Sequence, residues 1–411
     1  MAEVSTGATV GAADRHARKA SLDVVRGLAA LCVLLGHVHI LDAHSPTAGL
    51  GNFVLLFFPL SGFLVAGPFL RSLAAGRALP SVRGYALRRF ARILPAYWLV
   101  LLAVAVVLPT MWRPEAWWGW PLHFSLMQSL VPDEGNRVLL VAWSLSIEAL
   151  FYICVPVLAV LAVRRARDRL SPGRVAAAIL TFWLLSAVWN AVAFALGPVH
   201  SPGVIGAMHF SLLAYLCAFC PGMLIAVAES RGATALGGPW AWYRRLVAHP
   251  GLVALCMAVV WIPGLPNVNL NLPVPPAVAA NLYLECGSIG SGLALALMLH
   301  PPAWLGRATR PLAAFGVISY GVYLWHIVLI ELIAKHAHFL VRAGWPVLVP
   351  VVLIASVALG TASWVFVEKP AIAWANRRFA RTAAAPAQQE VVGHAAAAHL
   401  GEPAVETAGT A

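Results

Sequence analysis

Runs of about 20 apolar residues recur along this chain from residue 22 to residue 367, and they restrict its fold more than any other feature. A bilayer gives backbone N–H and C=O groups no water to bond with, so spanning segments must satisfy them internally, as helices do. The 411 residues are 61% hydrophobic and only 11% charged, which excludes an ordinary soluble domain. Ten spans are expected, at 22–41, 53–70, 93–109, 139–163, 175–196, 209–228, 246–263, 279–299, 311–333 and 347–367. The seventh is short and bracketed by Pro250 and Pro263, and charge placement decides whether to keep it. With ten spans and a cytoplasmic N-terminus, 24 of the 28 Lys and Arg residues fall on the cytoplasmic side; without the seventh, only 20 do. The positive-inside rule therefore favours ten spans with both termini cytoplasmic.

The expected fold is an all-α integral membrane protein, a multi-pass bundle in a bacterial plasma membrane. Residues 1–20 and 382–411 read as disordered cytoplasmic tails flanking a membrane domain at 21–381. The net charge of +12 is alternated between loops, a topology signal, and nucleic acid is not an expected partner. All six cysteines lie within apolar segments, so no disulfide framework is expected, and the CxxC of Cys217 and Cys220 is a weak redox or metal signal there. The first apolar run is too long for a signal-peptide core and is expected to remain as a span. Tryptophans 112, 117, 118 and 120 suit a loop at the lipid–water boundary.

Inside that first run sit Arg26 and His37. An ionisable residue at membrane depth costs about 2.5–3.5 kcal/mol on insertion scales, so each is a functional candidate. Eleven residues at about 100° each return to nearly the same helix face, about 16 Å along the axis. Asp23 lies one turn before Arg26 and is placed either to orient the guanidinium or to flank the membrane. For His37 the alternatives are a hydrogen-bonded bundle histidine and a reacting group.

Three further stretches carry polar chemistry. In RRFARILPAYW, Arg89 and Arg92 are one turn apart; they are either positive-inside flanking residues or a polyanion site, since guanidinium groups bind phosphate bidentately. In AWSLSIEALFY, Ser144 and Glu148 share a helix face, and a carboxylate there needs a partner or a role. In SYGVYLWHIVLIE, His326 is expected at a depth close to that of His37. Glu148, counted from the other side, falls at a broadly similar level. Two histidines and a carboxylate are thus expected to form one polar pocket, with the arginines at its mouth.

Six stretches taken in order resemble the membrane-bound acyltransferase-3 family, which includes bacterial O-antigen acetylases and macrolide acyltransferases. They are LDVVRGLAALCVLLGH (22–37), FFPLSGFLV (57–65), RRFARILPAYW (88–98), WSLSIEALFY (143–152), SYGVYLWH (319–326) and FVEKP (366–370). The family's Arg-then-His of the first helix falls on Arg26 and His37, its RxxR on Arg89 and Arg92, and its WSLSxE on Trp143 to Glu148. The usual second carboxylate after that glutamate is absent here, replaced by Ala149, and no large extra domain is expected after the last span.

The resemblance implies transfer of an acyl group from a cytoplasmic acyl-CoA, acetyl-CoA foremost, to a hydroxyl of a glycan or glycosylated small molecule. On this reading Arg26, Arg89 and Arg92 hold the coenzyme A phosphates and His37 is the general base. Glu148 or His326 orients His37, while Trp143, Ser144 and Tyr323 line the substrate pocket. No metal is expected. One variant has His37 or Ser144 carry the acyl group. A different class remains open, a proton-coupled transporter of a polar or lipid-linked solute with His37 and Glu148 as relay.

Overall fold

The computed structural model describes residues 3–109, 117–135, 137–165, 170–196, 202–230, 241–261 and 276–378. Among them there is no strand. Helix α1 runs Glu3–His37; α2 (Phe57–Ser61) and α3 (Gly67–Ala75) are joined through a π-helical turn at Gly62–Ala66; α4 is Val82–Val107 and α5 is Gly119–Ser125. The middle of the chain forms α6 (Ala142–Arg165), α7 (Pro172–Leu196), α8 (Pro202–His209), α9 (Leu212–Ser230), α10 (Ala241–Val247) and α11 (Pro250–Trp261). Then come α12 (Pro276–Leu299), α13 (Ala303–Ala308), α14 (Arg310–His336), α15 (His338–Ala343) and α16 (Trp345–Ser363), the last running on through a second π turn at Trp364–Glu368.

Nine helical stretches among the described residues are long and apolar enough to cross a membrane. The chain is thus an all-α, multi-pass membrane bundle. The seventh expected span differs: among the described residues α11 covers 12, about 18 Å at 1.5 Å per residue, against about 30 Å of hydrocarbon. Its start at Pro250 explains part of this, because proline lacks the N–H needed to continue the α10 ladder into α11. The first helix also begins earlier than composition suggests, at Glu3, so helix runs through most of the segment read as a tail. The other tail, 382–411, and Trp112 lie outside the described residues.

Helix α14 is central, packed between α1 and α16. Glycines make both approaches close. A Cβ at Gly316 would collide with the Asp23 carbonyl of α1, and one at Gly321 would come within 2.9 Å of the Gly360 backbone on α16. On the other side, α7, α9 and α12 pack together, with α2–α3 wedged against α9. Leu180, Leu184, Val188 and Val192 form an exposed stripe at four-residue spacing on α7, the lipid-facing pattern of a spanning helix.

The loop between α4 and α6 caps one end of the bundle. Tyr97 and Trp98 of α4 donate to the carbonyls of His123 and Phe124, each at 2.9 Å. Beneath the cap, His123 Nε2 meets Glu134 Oε2 at 3.0 Å, and Ser129 bonds Ser146 of α6 at 2.6 Å. Both members of the His123–Glu134 pair are buried. Burial lowers the His123 pKa below its ordinary 6.5, against the opposing pull of Glu134.

Candidate functional site

At the end of the bundle opposite the cap, a cavity of about 770 Å³ opens between α1, α3, α4, α9 and α14. Arg18, Lys19, Arg26, Arg71, Arg89 and Arg92 line it, together with Asp23, Glu229 and Trp364. Arg26 bonds Asp23 at 2.6 Å, one turn away on α1, so the carboxylate does orient the guanidinium. Arg89 stacks over Tyr85 and Tyr152, at 5.9 and 5.6 Å, and Arg92 over Trp364 at 5.9 Å. These aromatic faces hold the guanidinium planes without consuming their hydrogen-bond donors.

A recess of about 80 Å³ adjoins the cavity, sharing Arg26, Leu64, Arg89 and Arg92 with it and adding Ser61, Glu148, Tyr152 and Tyr320. Ser61, at the end of α2, donates to Glu148 on α6. The three expected arginines therefore converge on the expected glutamate. Phe57 lines the same recess and packs edge-on against Tyr323, whose ring lies 5.8 Å from that of His326.

Beyond this aromatic layer stands the histidine pair. His37 Nδ1 lies 2.9 Å from His326 Nε2, with the rings stacked at 5.1 Å. The hydrogen-bond chain selects the tautomers. His326 Nδ1 faces the Val322 carbonyl at 3.2 Å, and a carbonyl only accepts, so that nitrogen carries the proton. A neutral His326 then presents a lone pair at Nε2, which accepts from His37 Nδ1–H. His37 is left with its lone pair on Nε2, the form a general base requires. His326 is buried and His37 half-buried.

Two expected placements need correction. Glu148 bonds Ser61 and lines the arginine recess, whereas His326 is the residue that meets His37. Equal depth left the direction around the bundle axis open, and α6 turns its Glu148 face towards α2 and α4. Trp143 is also absent from the polar recess. It packs on Phe58, Phe210 and Tyr215, about 100° around the helix from its neighbour Ser144. Ser144 and Tyr323 do meet, at 2.7 Å, and each hydroxyl also lies 3.1 Å from the Val141 carbonyl. That arrangement braces α6 against α14 directly beside His326.

Ser61, Arg18, Lys19, Arg71 and Glu368 join this site without a spacing or motif of their own to mark them. Glu368 is the buried last residue of the π turn that places Trp364 under Arg92, with Ser363 at 3.3 Å and Arg92 as its cationic neighbour. π turns inside helices frequently accompany functional positions, and here both of them deliver residues to the arginine cluster. A lone Ser or Glu within FFPLSGF or FVEKP was the available signal. Cys217 and Cys220 are free thiols buried in α9, each bonded to a backbone carbonyl.

No solved structure matches the chain significantly. Among curated proteins, it is 26% identical over 380 residues to YrhL of Bacillus subtilis (strain 168), which is named as a proposed peptidoglycan O-acetyltransferase. That match covers 88% of this chain and 56% of the relative. It is 24% identical over 388 residues to the peptidoglycan O-acetyltransferase OatA of Listeria monocytogenes serovar 1/2a (strain EGD-e), covering 87% and 56%. The chain thus spans about half the length of the curated relatives it matches. The acyltransferase-3 profile, described as an acyltransferase domain, matches residues 19–365, and it is to this family that the chain belongs.

Proposed function

We propose that the chain is a membrane O-acyltransferase that takes an acyl group, acetyl foremost, from acyl-CoA and esterifies a hydroxyl of a carbohydrate-bearing acceptor. The observation that carries this reading is that Arg26, Arg89 and Arg92 line both the basic cavity and the adjoining Glu148 recess. A phosphorylated donor with a long arm fits such an arrangement. Its phosphates lie against guanidinium groups on the cytoplasmic side, and its thioester extends past Phe57 and Tyr323 towards His37, about 16 Å along α1 from Arg26. The two curated relatives, both named for peptidoglycan O-acetylation, support a cell-envelope glycan as the acceptor class and a bacterial plasma membrane as the location.

In the proposed step, His37 Nε2 removes the acceptor hydroxyl proton as the oxygen attacks the thioester carbonyl. The tetrahedral intermediate then expels the coenzyme A thiolate, which takes the proton from the His37 imidazolium. The products are an O-acyl ester and free CoA. His326 holds the base in the required tautomer, and Glu148 with Ser61 borders the donor path. Purified protein in lipid nanodiscs, given acetyl-CoA and cell-wall glycan fragments, should release free thiol in proportion to O-acetyl ester. Arg89→Gln and Arg92→Gln should raise the KM for acetyl-CoA, and His37→Ala should abolish ester formation. Full activity in His37→Ala would overturn the base assignment. Failure of the wild type to bind acyl-CoA would favour the transporter reading.

A further inference from the structure

The basic cavity holds more positive charge than the three inner arginines supply, and the excess sits at a second level. Arg26, Arg89 and Arg92 border both the cavity and the recess, whereas Arg18, Lys19 and Arg71 line only the outer part. Two helices give the separation independently. Arg18 and Arg26 are eight residues apart on α1, about 12 Å, while Arg71 lies ten residues beyond Ser61 along α2–α3, about 15 Å. Within the outer group, Glu229 bonds Arg18 at 2.9 Å and also receives His300 at 2.8 Å and the Tyr243 hydroxyl at 3.1 Å. Those bonds fix Arg18 in place. Lys19 and Arg71 have no carboxylate within salt-bridge distance among the described residues.

Six basic side chains and two carboxylates line the cavity, and Glu148 in the adjoining recess and Glu368 beside Arg92 offset part of the inner charge. A coenzyme A carries about −2 on its 5′-diphosphate and about −2 on its 3′-phosphomonoester, the latter by analogy with other phosphomonoesters near neutral pH. One anionic group at each level accounts for both sets of cations; a single phosphate or a diphosphate alone would leave one set unmatched. Gly67 clears space for the outer set, because a Cβ there would come within 2.8 Å of the Arg71 guanidinium.

We infer that Arg71 and Lys19, with Arg18 held by Glu229, form a subsite for the 3′-phosphate of the donor nucleotide, distinct from the inner Arg26–Arg89–Arg92 site for its diphosphate. The inference rests on the acyl-CoA reading above and adds a specificity determinant to it: the protein distinguishes CoA from 3′-dephospho-CoA. Binding of the two nucleotides to full-length protein in nanodiscs tests it. Wild type should bind CoA at least tenfold more tightly than 3′-dephospho-CoA. Arg71→Gln should shrink that ratio to threefold or less, and Lys19→Gln, at an exposed helical position, should shrink it in the same direction. Arg89→Gln should weaken both nucleotides together and leave the ratio standing. Equal wild-type affinities, or a ratio unchanged in both outer variants, would overturn the subsite. If wild type binds neither nucleotide, it is the donor reading that fails.

Discussion

Replacing His326 with phenylalanine removes one hydrogen-bond acceptor while keeping a planar ring in a buried slot. In the wild-type structure His37 Nδ1–H points at His326 Nε2 over 2.9 Å, and nothing in a phenyl ring replaces that lone pair. A buried donor left unmatched costs about 1–3 kcal/mol, which at 1.36 kcal/mol per decade corresponds to about 5–150-fold. Part of that cost is relieved when His37 moves its proton to Nε2, and this relief is what removes the base. We expect kcat to fall by about 10–100-fold, with KM for acetyl-CoA within twofold because the arginine cluster lies about 16 Å away along α1. His37→Ala should lose about 10²–10⁴-fold, the usual worth of general base catalysis. The double variant should be no slower than His37→Ala alone, since orienting a missing base has no effect. Stopped-flow thiol release from acetyl-CoA, with an acceptor that supports wild-type turnover, measures all three. Wild-type kcat in His326→Phe, or multiplicative losses in the double variant, would refute the tautomer argument.

Other consequences can be checked separately. Glu148→Gln and Ser61→Ala should each reduce turnover, and together should lose less than the product of the single effects, because the two side chains share one hydrogen bond; strict multiplicativity would separate them. Gly316→Val forces a branched side chain onto the Asp23 carbonyl, so thermal unfolding in detergent should show a loss of about 1–3 kcal/mol. The same change should raise donor KM, as Asp23 no longer holds Arg26; unchanged melting and KM would count against the close crossing. His123 titrates below its ordinary 6.5 in the folded protein because it is buried, so the unfolded chain binds a proton that the native state does not. Stability should therefore fall as pH drops below about 6.5, by at most about 1.4 kcal/mol per pH unit, and His123→Gln should flatten that slope. An identical slope in the variant would place the titration elsewhere.

Much of the site was readable because helices impose a fixed angular period. Arg26 and His37 needed only their eleven-residue spacing, and Arg89 with Arg92 only one turn. Residue depth along a helix was equally accessible, which is why His37 and His326 were expected at one level and do meet. What depth leaves out is azimuth. Glu148 faces the arginines rather than the histidines because of how α6 is rotated against α2 and α4, and no count along one helix contains that rotation. Trp143 shows the same limit at its smallest scale, where one residue of displacement from Ser144 sends a side chain into an aromatic cluster. Ser61 and Glu368 depend on π turns, whose extra residue changes the phase of the helix in a way apolar patterning does not register. Charge placement favoured a full seventh span, yet α11 has 12 residues in the described region, since positive-inside counting weighs the flanks and not the length between them.

The glycine contacts of α14 have a mechanical consequence. Where backbone rests on backbone, with no side chain to change rotamer, two helices cannot separate by small steps; they stay in register or part altogether. Helix α14 is seated this way on α1 at one level and on α16 at another, so α1, α14 and α16 form a stator that fixes Arg26 and the histidine pair in one frame. Any breathing that admits a bulky nucleotide and releases its spent form must then come from the opposite wall, where α3 and α4 present Arg71, Arg89 and Arg92 on side chains long enough to follow the motion.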